Sequence, residues 1–255
     1  MTKKELLKGK KIIALIPARL GSKRVKAKNL RLIKGKPLIY YAIETCKKVE
    51  YFDKVYVNSD SSLFGEVAQR YGVDFYKRPE EFATSQSMID EYLFEFLSNI
   101  ECDILAVINP TSPFLKPSEI VDALINFVEN DYDTQLACTD FKTHCFLNNK
   151  AINFSTDGKH PRSQDLTPVK GLNFAVTIWK RDSFIEQFKK LGHAVYTGKI
   201  GLFSFNGLSA IDIDWDEDFQ LAEIIMENKE RFETIKPEWD PVLNELLENN
   251  IDFQN

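Results

Sequence analysis

The sequence has no run of eighteen apolar residues, and Lys3, Lys4, Lys8, Lys10 and Lys11 flank no long apolar core. That argues against a membrane span and against a secretory leader, and the expected location is cytoplasmic. It has only four cysteines (Cys46, Cys102, Cys138, Cys145), with no C-x-x-C pair and no histidine spacing that suggests zinc, so free thiols in a reducing compartment are expected. It has no surplus of positive charge: the net charge is −5, which argues against a general nucleic-acid binder. It has neither a Walker loop nor a G-x-G-x-x-G fingerprint. Its three histidines, His144, His160 and His193, have no nameable nucleophile or acid beside them. They read as surface or packing residues, His144 being the one candidate for a substrate pocket.

What is present is an ordinary core composition, 44% hydrophobic over 255 residues, enough for one large α/β domain or one domain with a small insertion. Apolar runs at 12–16, 54–60, 73–76, 103–109 and 133–139 read as strands. Helical patterns at 37–49, 62–71, 88–99 and 117–129 lie between them, with Gly72 as a C-cap. That alternation predicts a Rossmann-like, mostly parallel sheet with helices on both faces. The pattern breaks over 140–172, read as an insertion of hairpins and loops. Strands at 172–179 and 199–205 and helices at 182–190 and 216–228 follow. The expected division is 1–139, a nucleotide-binding half; 140–180, an inserted arm; 181–228, the rest of the core; and 229–255, an acidic, partly helical extension (Val242 to Leu247). Residues 1–10 read as a polar lead-in.

In such sheets ligands sit at the carboxyl ends of the strands. The loop after the first strand is the most charged of these ends. Pro17 closes the strand, and Arg19, Lys23, Arg24, Lys26 and Lys28 place five cations in ten residues around Gly21 and Ser22. Two readings fit: a cradle for a polyphosphate, or a solvated basic turn. Near the other end of the chain, Ile211-Asp212-Ile213-Asp214 reads as a strand whose two carboxylates share one face while the isoleucines face the core. Two readings fit here also: a hard-cation site, or the acidic approach to a helix beginning Asp216-Glu217-Asp218.

The order of residues Pro17-Ala18-Arg19-Leu20-Gly21-Ser22-Lys23, then Lys28-Asn29, resembles the signature loop of the CMP-sialic acid synthetase family. Asn58-Ser59-Asp60, Arg78-Pro79-Glu80-Glu81-Phe82-Ala83, Asn109-Pro110-Thr111-Ser112-Pro113 and Ile211 to Asp214 resemble further family segments in the same order, over about residues 12–227. The resemblance implies transfer of CMP from CTP to the anomeric hydroxyl of an acidic 2-keto-3-deoxy sugar, with release of pyrophosphate. It implies that Arg19 and Lys23 grip the phosphates, with Leu20, Gly21, Ser22, Asn29, Ser59, Asp60 and Arg78 around the nucleotide. It implies that Asp212 and Asp214 hold Mg²⁺, with Mn²⁺ as the alternative. Asn109, Thr111, Ser112, Arg162, Gln164, Lys170 and Asn173 are the implied sugar-side residues. A homodimer is implied, residues 140–180 being the arm that helps close the partner's sugar site; no nucleic acid or membrane partner is expected.

The departures lie on the sugar side. Where many sialic acid enzymes carry Arg-x-Asn-Gly-Ala, this chain has Gly171-Leu172-Asn173-Phe174-Ala175, with Lys170 adjacent and Arg162 as the other available cation. Arg162-Ser163-Gln164-Asp165-Leu166 resembles the legionaminic and pseudaminic acid types. Thr84-Ser85 also replaces the usual Ser/Thr-Asp. The alternatives are a nucleotidyltransferase of the same fold with another sugar (such as a 3-deoxy-octulosonate) or another nucleotide, and a non-catalytic nucleotide-binding relative.

Overall fold

Ile12 to Ile16 are entirely buried, and the sheet is built outward from them. A computed structural model describes residues 3–21, 24–82, 87–241 and 243. In chain order the strands and helices are β1 (Ile12–Pro17), β2 (Leu32–Ile33), β3 (Lys36–Pro37), α1 (Leu38–Lys47), β4 (Lys54–Ser59) and α2 (Ser62–Tyr71). They continue with β5 (Asp74–Lys77), α3 (Ile89–Asn99), β6 (Ile104–Ile108), α4 (Pro117–Glu129), β7 (Thr134–Phe141), β8 (Phe146–Leu147) and β9 (Lys150–Ala151). The last are β10 (Val169–Lys180), α5 (Arg181–Leu191), β11 (Ile200–Ser204), α6 (Asp216–Glu227) and α7 (Lys229–Thr234).

The main sheet has the order β11-β7-β10-β6-β1-β4-β5. β1 pairs in parallel with β4 on one side and β6 on the other, while β10 runs antiparallel to both β6 and β7. The expected mostly parallel α/β fold is what is found. Alternate residues of β1 face opposite layers. Ile12, Ala14 and Ile16 pack with α1, α2 and α4 through Ile39, Phe64 and Ile120. Ile13 and Leu15 pack with α3 and α5 through Leu93, Phe96 and Phe184, with Trp179 from β10 at the centre. Strands buried on both faces carry continuous apolar runs, which is why β1 and β6 were readable. After β1 the chain builds β4 and β5 to one side, then crosses back to β6 on the other. A crevice therefore opens beyond the carboxyl ends of β1 and β6.

The structure differs from expectation at three places. Residues 3–10 are not merely a polar lead-in: Lys3–Leu7 is a 3₁₀ turn that buries Leu7 in the main core. Residues 211–214 are not a strand. Their one buried residue, Ile213, belongs to a third apolar cluster with Val25, Ile33, Leu38 and Phe219, and its N–H donates to the Thr111 carbonyl (2.9 Å) outside any sheet ladder. Ile211 is only half-buried. β10 starts three residues early because its outer end continues pairing with β7 past a register shift between Leu172 and Thr177. Val242 to Leu247 lies outside the described residues except for Leu243. Among the described residues no helix is long and apolar enough to cross a membrane, and all four cysteines are free thiols.

Candidate active site

The loops after β1, β5 and β6 and the start of α3 enclose a cleft of about 320 Å³. Its walls are Ala18, Arg19, Arg24, Val25, Lys28 and Asn29 from the first loop, Arg78 and Phe82 after β5, Ile89 and Tyr92 on α3, and Asn109 to Thr111 after β6. One side of the cleft is thus cationic and another carries apolar and aromatic surface.

Arg78 is the most buried charge in it. The side chain is 5% exposed, and Nε donates to Asn58 Oδ1 at 2.6 Å while NH2 donates to the Asn58 carbonyl at 3.3 Å. The guanidinium carbon stands 4.0 Å from the centre of the Tyr92 ring. Burial pushes the Arg78 pKa down, with Tyr92 and Asp60 opposing that and Arg19 adding to it. Burial pushes the Tyr92 phenol up to about 12. Arg78 is therefore a cation fixed at the back wall, and Tyr92 is a neutral ring beneath it.

Two buried amide atoms nearby have no hydrogen-bond partner among the described residues: Asn29 Oδ1 and Asn58 Nδ2. Asn29 is 6% exposed and lines the cleft. An unsatisfied buried polar atom at a cleft wall costs stability and is a natural partner for a ligand hydroxyl.

The acidic pair sits at the rim, tied to the cleft by its lining residues. Thr111 Oγ1 donates to Asp212 Oδ1, and Lys28 Nζ donates to the Ile213 carbonyl and stands 3.3 Å from Asp214 Oδ1. Arg24 NH1 donates to Asp214 Oδ2 at 2.8 Å. Burial raises the Asp212 pKa. The Thr111 hydrogen bond opposes this, the neighbouring Asp214 charge adds to it and Lys28 opposes it. Asp218 Oδ2 accepts from the Asp214 and Trp215 backbone N–H groups at 2.9 and 2.8 Å, which fixes the turn into α6. The carboxylates are brought together by these tethers rather than by strand alternation.

The family model for cytidylyltransferases matches residues 13–236. The chain belongs to that family. It is 32% identical over 234 residues to an N-acylneuraminate cytidylyltransferase of Escherichia coli O18:K1:H7 (strain RS218 / NMEC), covering 87% of this chain and 53% of that one. It is 31% identical over 233 residues to the CMP-N,N'-diacetyllegionaminic acid synthase of Legionella pneumophila, covering 85% and 97% respectively. The chain spans about half the length of the N-acylneuraminate cytidylyltransferases it matches. A solved CMP:2-keto-3-deoxy-manno-octonic acid synthetase complexed with CTP superposes with a TM-score of 0.64 at 18% identity, over 86% of this chain and 99% of that one, which speaks for the fold.

Of the residues expected around a nucleotide, Arg19, Asn29 and Arg78 line the cleft, with Leu20 and Gly21 exposed beside it. Ser22 and Lys23 lie outside the described residues, as do Thr84 and Ser85. Ser59 is buried, accepting from the Ser61 N–H at 3.2 Å, and the backbone carbonyl of Asp60 accepts from Lys77. These two shape the turn after β4 and do not line the cleft. On the sugar side Asn109 and Thr111 are in the wall, and Ser112 is buried behind it with its N–H on the Asn109 carbonyl (3.1 Å). Asn173 braces the bulge of β10: Nδ2 donates to Thr139 Oγ1 and Oδ1 accepts from the Ala175 N–H.

The remaining three sugar-side residues are not brought to the cleft within one chain. Arg162 pairs with Asp165 through Nε (2.8 Å) and NH2 (3.2 Å). Gln164 is exposed, and its carbonyl accepts from Lys142. Lys170 Nζ donates to Asp140 Oδ1 (2.6 Å) and Ser204 Oγ (2.8 Å). At Gly171 a Cβ would stand 2.6 Å from Phe141 Cε2, so the ring lies where an arginine side chain would begin. His144 stacks on His160 at 4.1 Å and meets Phe154 edge-on, which makes it a packing residue of the excursion. Sequence reasoning missed Asn58 and Tyr92. The one signal for Tyr92 was its position three residues, one helical turn, after Ile89.

Proposed function

We propose that the chain transfers CMP from CTP to the anomeric hydroxyl of an acidic 2-keto-3-deoxy sugar of the nonulosonate class and releases pyrophosphate. The observation that carries this reading is the cleft at the strand ends. A cationic loop, a fixed Arg78–Tyr92 wall and two tethered carboxylates all meet there. The relatives named for sialic and legionaminic acids support the sugar class. The same reading places the protein in the cytoplasm and makes it a homodimer.

The reaction needs positioning and charge neutralisation more than covalent chemistry. The sugar hydroxyl oxygen, giving its proton to solvent, bonds to the α-phosphorus while the phosphorus bond to the bridging oxygen breaks, and that electron pair leaves with pyrophosphate. Arg19 and Lys23 offset the charge that grows on that leaving group, and loop N–H groups add hydrogen bonds. Arg78 borders the base, held against rotation by Asn58 and Tyr92. Asn29 Oδ1 accepts from a ribose hydroxyl.

Among the described residues no three His, Cys, Asp or Glu side chains form a metal site by themselves. Two carboxylates with no third protein ligand fit Mg²⁺, which takes one or two carboxylates and completes its shell with phosphate oxygens and water. Asp212 and Asp214 would hold it, Mn²⁺ being the alternative. When bound it would polarise the phosphate and lower the pKa of the attacking hydroxyl.

Pyrophosphate release with CTP and Mg²⁺ across a panel of 2-keto-3-deoxy sugar acids tests the reading, with Asp214→Ala as control. Release with one sugar and its loss in the variant is the expected result. CTP binding with no release for any sugar would move the function to another acceptor or to a non-catalytic role.

A further inference from the structure

Asp214 is not an open carboxylate, and its two cationic partners are held in different ways. Lys28 is 14% exposed and also donates to the Ile213 carbonyl, so it is part of the fabric joining the first loop to residues 211–214. Arg24 is 51% exposed and makes one hydrogen bond among the described residues, to Asp214 Oδ2. Its guanidinium carbon lies 5.3 Å from the centre of the exposed Trp215 ring, and the side chain lines the cleft. Both partners line the cleft, and the more exposed of them, Arg24, is therefore the one free to leave. A single exposed ion pair is weak. A guanidinium and a divalent cation on one carboxylate repel each other. Phosphate oxygens, by contrast, are a strong, bidentate partner for arginine.

Resting on the reading above, in which Asp212 and Asp214 hold the cation and the first loop holds the triphosphate, we propose that Arg24 is a counter-ion lock. It occupies Asp214 while the cleft is empty and moves onto the nucleotide's phosphates as the cation takes its place. The cation then enters together with the nucleotide and poorly without it. Arg24 is a positioning residue whose two contacts work in opposite directions. Removing it frees Asp214 for metal and takes a cation from the phosphates. A residue that only braced the loop would change both affinities in the same sense.

The test uses the full chain and Arg24→Ala. Mn²⁺ is titrated alone, with bound ion read from the loss of the free-ion paramagnetic resonance signal, and CTP is titrated in EDTA by calorimetry. The variant should bind Mn²⁺ about fivefold or more tightly and CTP about fivefold or more weakly, a coupling of ordinary size for linked sites. Arg24→Lys, which keeps the charge, should move both values back toward those of the unaltered chain. Trp215 emission should change when CTP and Mg²⁺ are added together, and the change should be absent in Trp215→Phe and in Arg24→Ala. Equal Mn²⁺ affinity with and without Arg24, at a site lost in Asp214→Asn, would overturn the lock and leave the metal reading standing. Unchanged CTP affinity, or both affinities falling together, would also overturn it. No Mn²⁺ binding in either chain while CTP still binds would overturn the metal reading and the lock with it.

Discussion

The two sides of the proposed site, one for the nucleotide and one for the acceptor, are built in opposite ways. The first is made from the ends of buried parallel strands. Arg78 hangs on Asn58, Asp212 on Thr111 and Asp214 on Lys28, each anchor being part of the rigid core or directly tied to it. The second leaves the sheet after β7 in an excursion that exposes Phe146, Leu147 and Ile152, and whose Arg162 is paired with its own Asp165. One chain therefore fixes Arg78, Asp212 and Asp214 at the cleft but does not carry Arg162, Gln164 or Lys170 to it. A site finished on one side only is what the proposed dimer would complete. Four substitutions test that contrast.

The largest effect should come from the acidic pair. Asp214→Ala should lower pyrophosphate release by about 10²–10³, the scale of losing one preorganised charge contact to the transition state. The thermal midpoint should barely move, because Asp214 is a third exposed and the ion pairs it loses, to Arg24 and Lys28, are weak ones. A steady-state assay alongside a melting curve checks both. A large drop in the midpoint instead would make the pair structural.

Next comes Arg78. Arg78→Ala leaves Asn58 Oδ1 buried without its donor, and it also removes the cation over Tyr92. A loss of about 1–3 kcal/mol in stability is expected from the unpaired acceptor, together with weaker CTP binding. Arg78→Lys should not restore the affinity, because an ammonium cannot give the Nε bond and the planar stack together. Denaturant unfolding and CTP calorimetry on both variants separate the two contributions.

The third substitution asks what the excursion is for. Phe146→Asp with Leu147→Asp puts charge on a hairpin that is already exposed in a single chain. Unfolding of the monomer should be unchanged within about 0.5 kcal/mol, as for surface changes generally. Sedimentation should show loss of the dimer, and release of pyrophosphate should fall while CTP affinity holds. A variant that stayed a dimer would place the subunit contact elsewhere on the molecule.

These contrasts also explain what could be read from the sequence. β1 and β6 announce themselves because strands covered on both faces must be apolar throughout, and the loops that follow them inherit the site from the topology. The order of the acidic pair was legible as chemistry. Its backbone was not, since Ile213 is tethered sideways to Thr111 rather than in a ladder, and alternation alone cannot tell the two apart. Asn58 was invisible for a related reason. It reads as the polar end of a strand, and its role depends on a partner twenty residues away that only the parallel register of β4 with β5 brings alongside. Leu7 was hidden because one apolar residue in a short lysine-rich turn gives no periodicity to count.

The smallest expected effect is the most informative about the acceptor side. Lys170 is about a third exposed and makes an ion pair with Asp140 and a hydrogen bond to Ser204 at the outer end of β10. Lys170→Ala should cost the fold no more than about 1 kcal/mol, since exposed pairs contribute little. CTP affinity should be unchanged, because Lys170 does not line the cleft of its own chain. If the dimer brings this end of β10 to the partner's cleft, the apparent KM for the sugar acid should rise while the KM for CTP stays put. That separation is one that a purely structural lysine would not produce. Mixing Lys170→Ala chains with Asp214→Ala chains sharpens it. A heterodimer then has one site with both residues intact, so activity reappears at near-normal sugar KM only if Lys170 serves across the interface. If Lys170 works within its own chain, each site in the mixture lacks one of the two residues and the sugar KM stays raised.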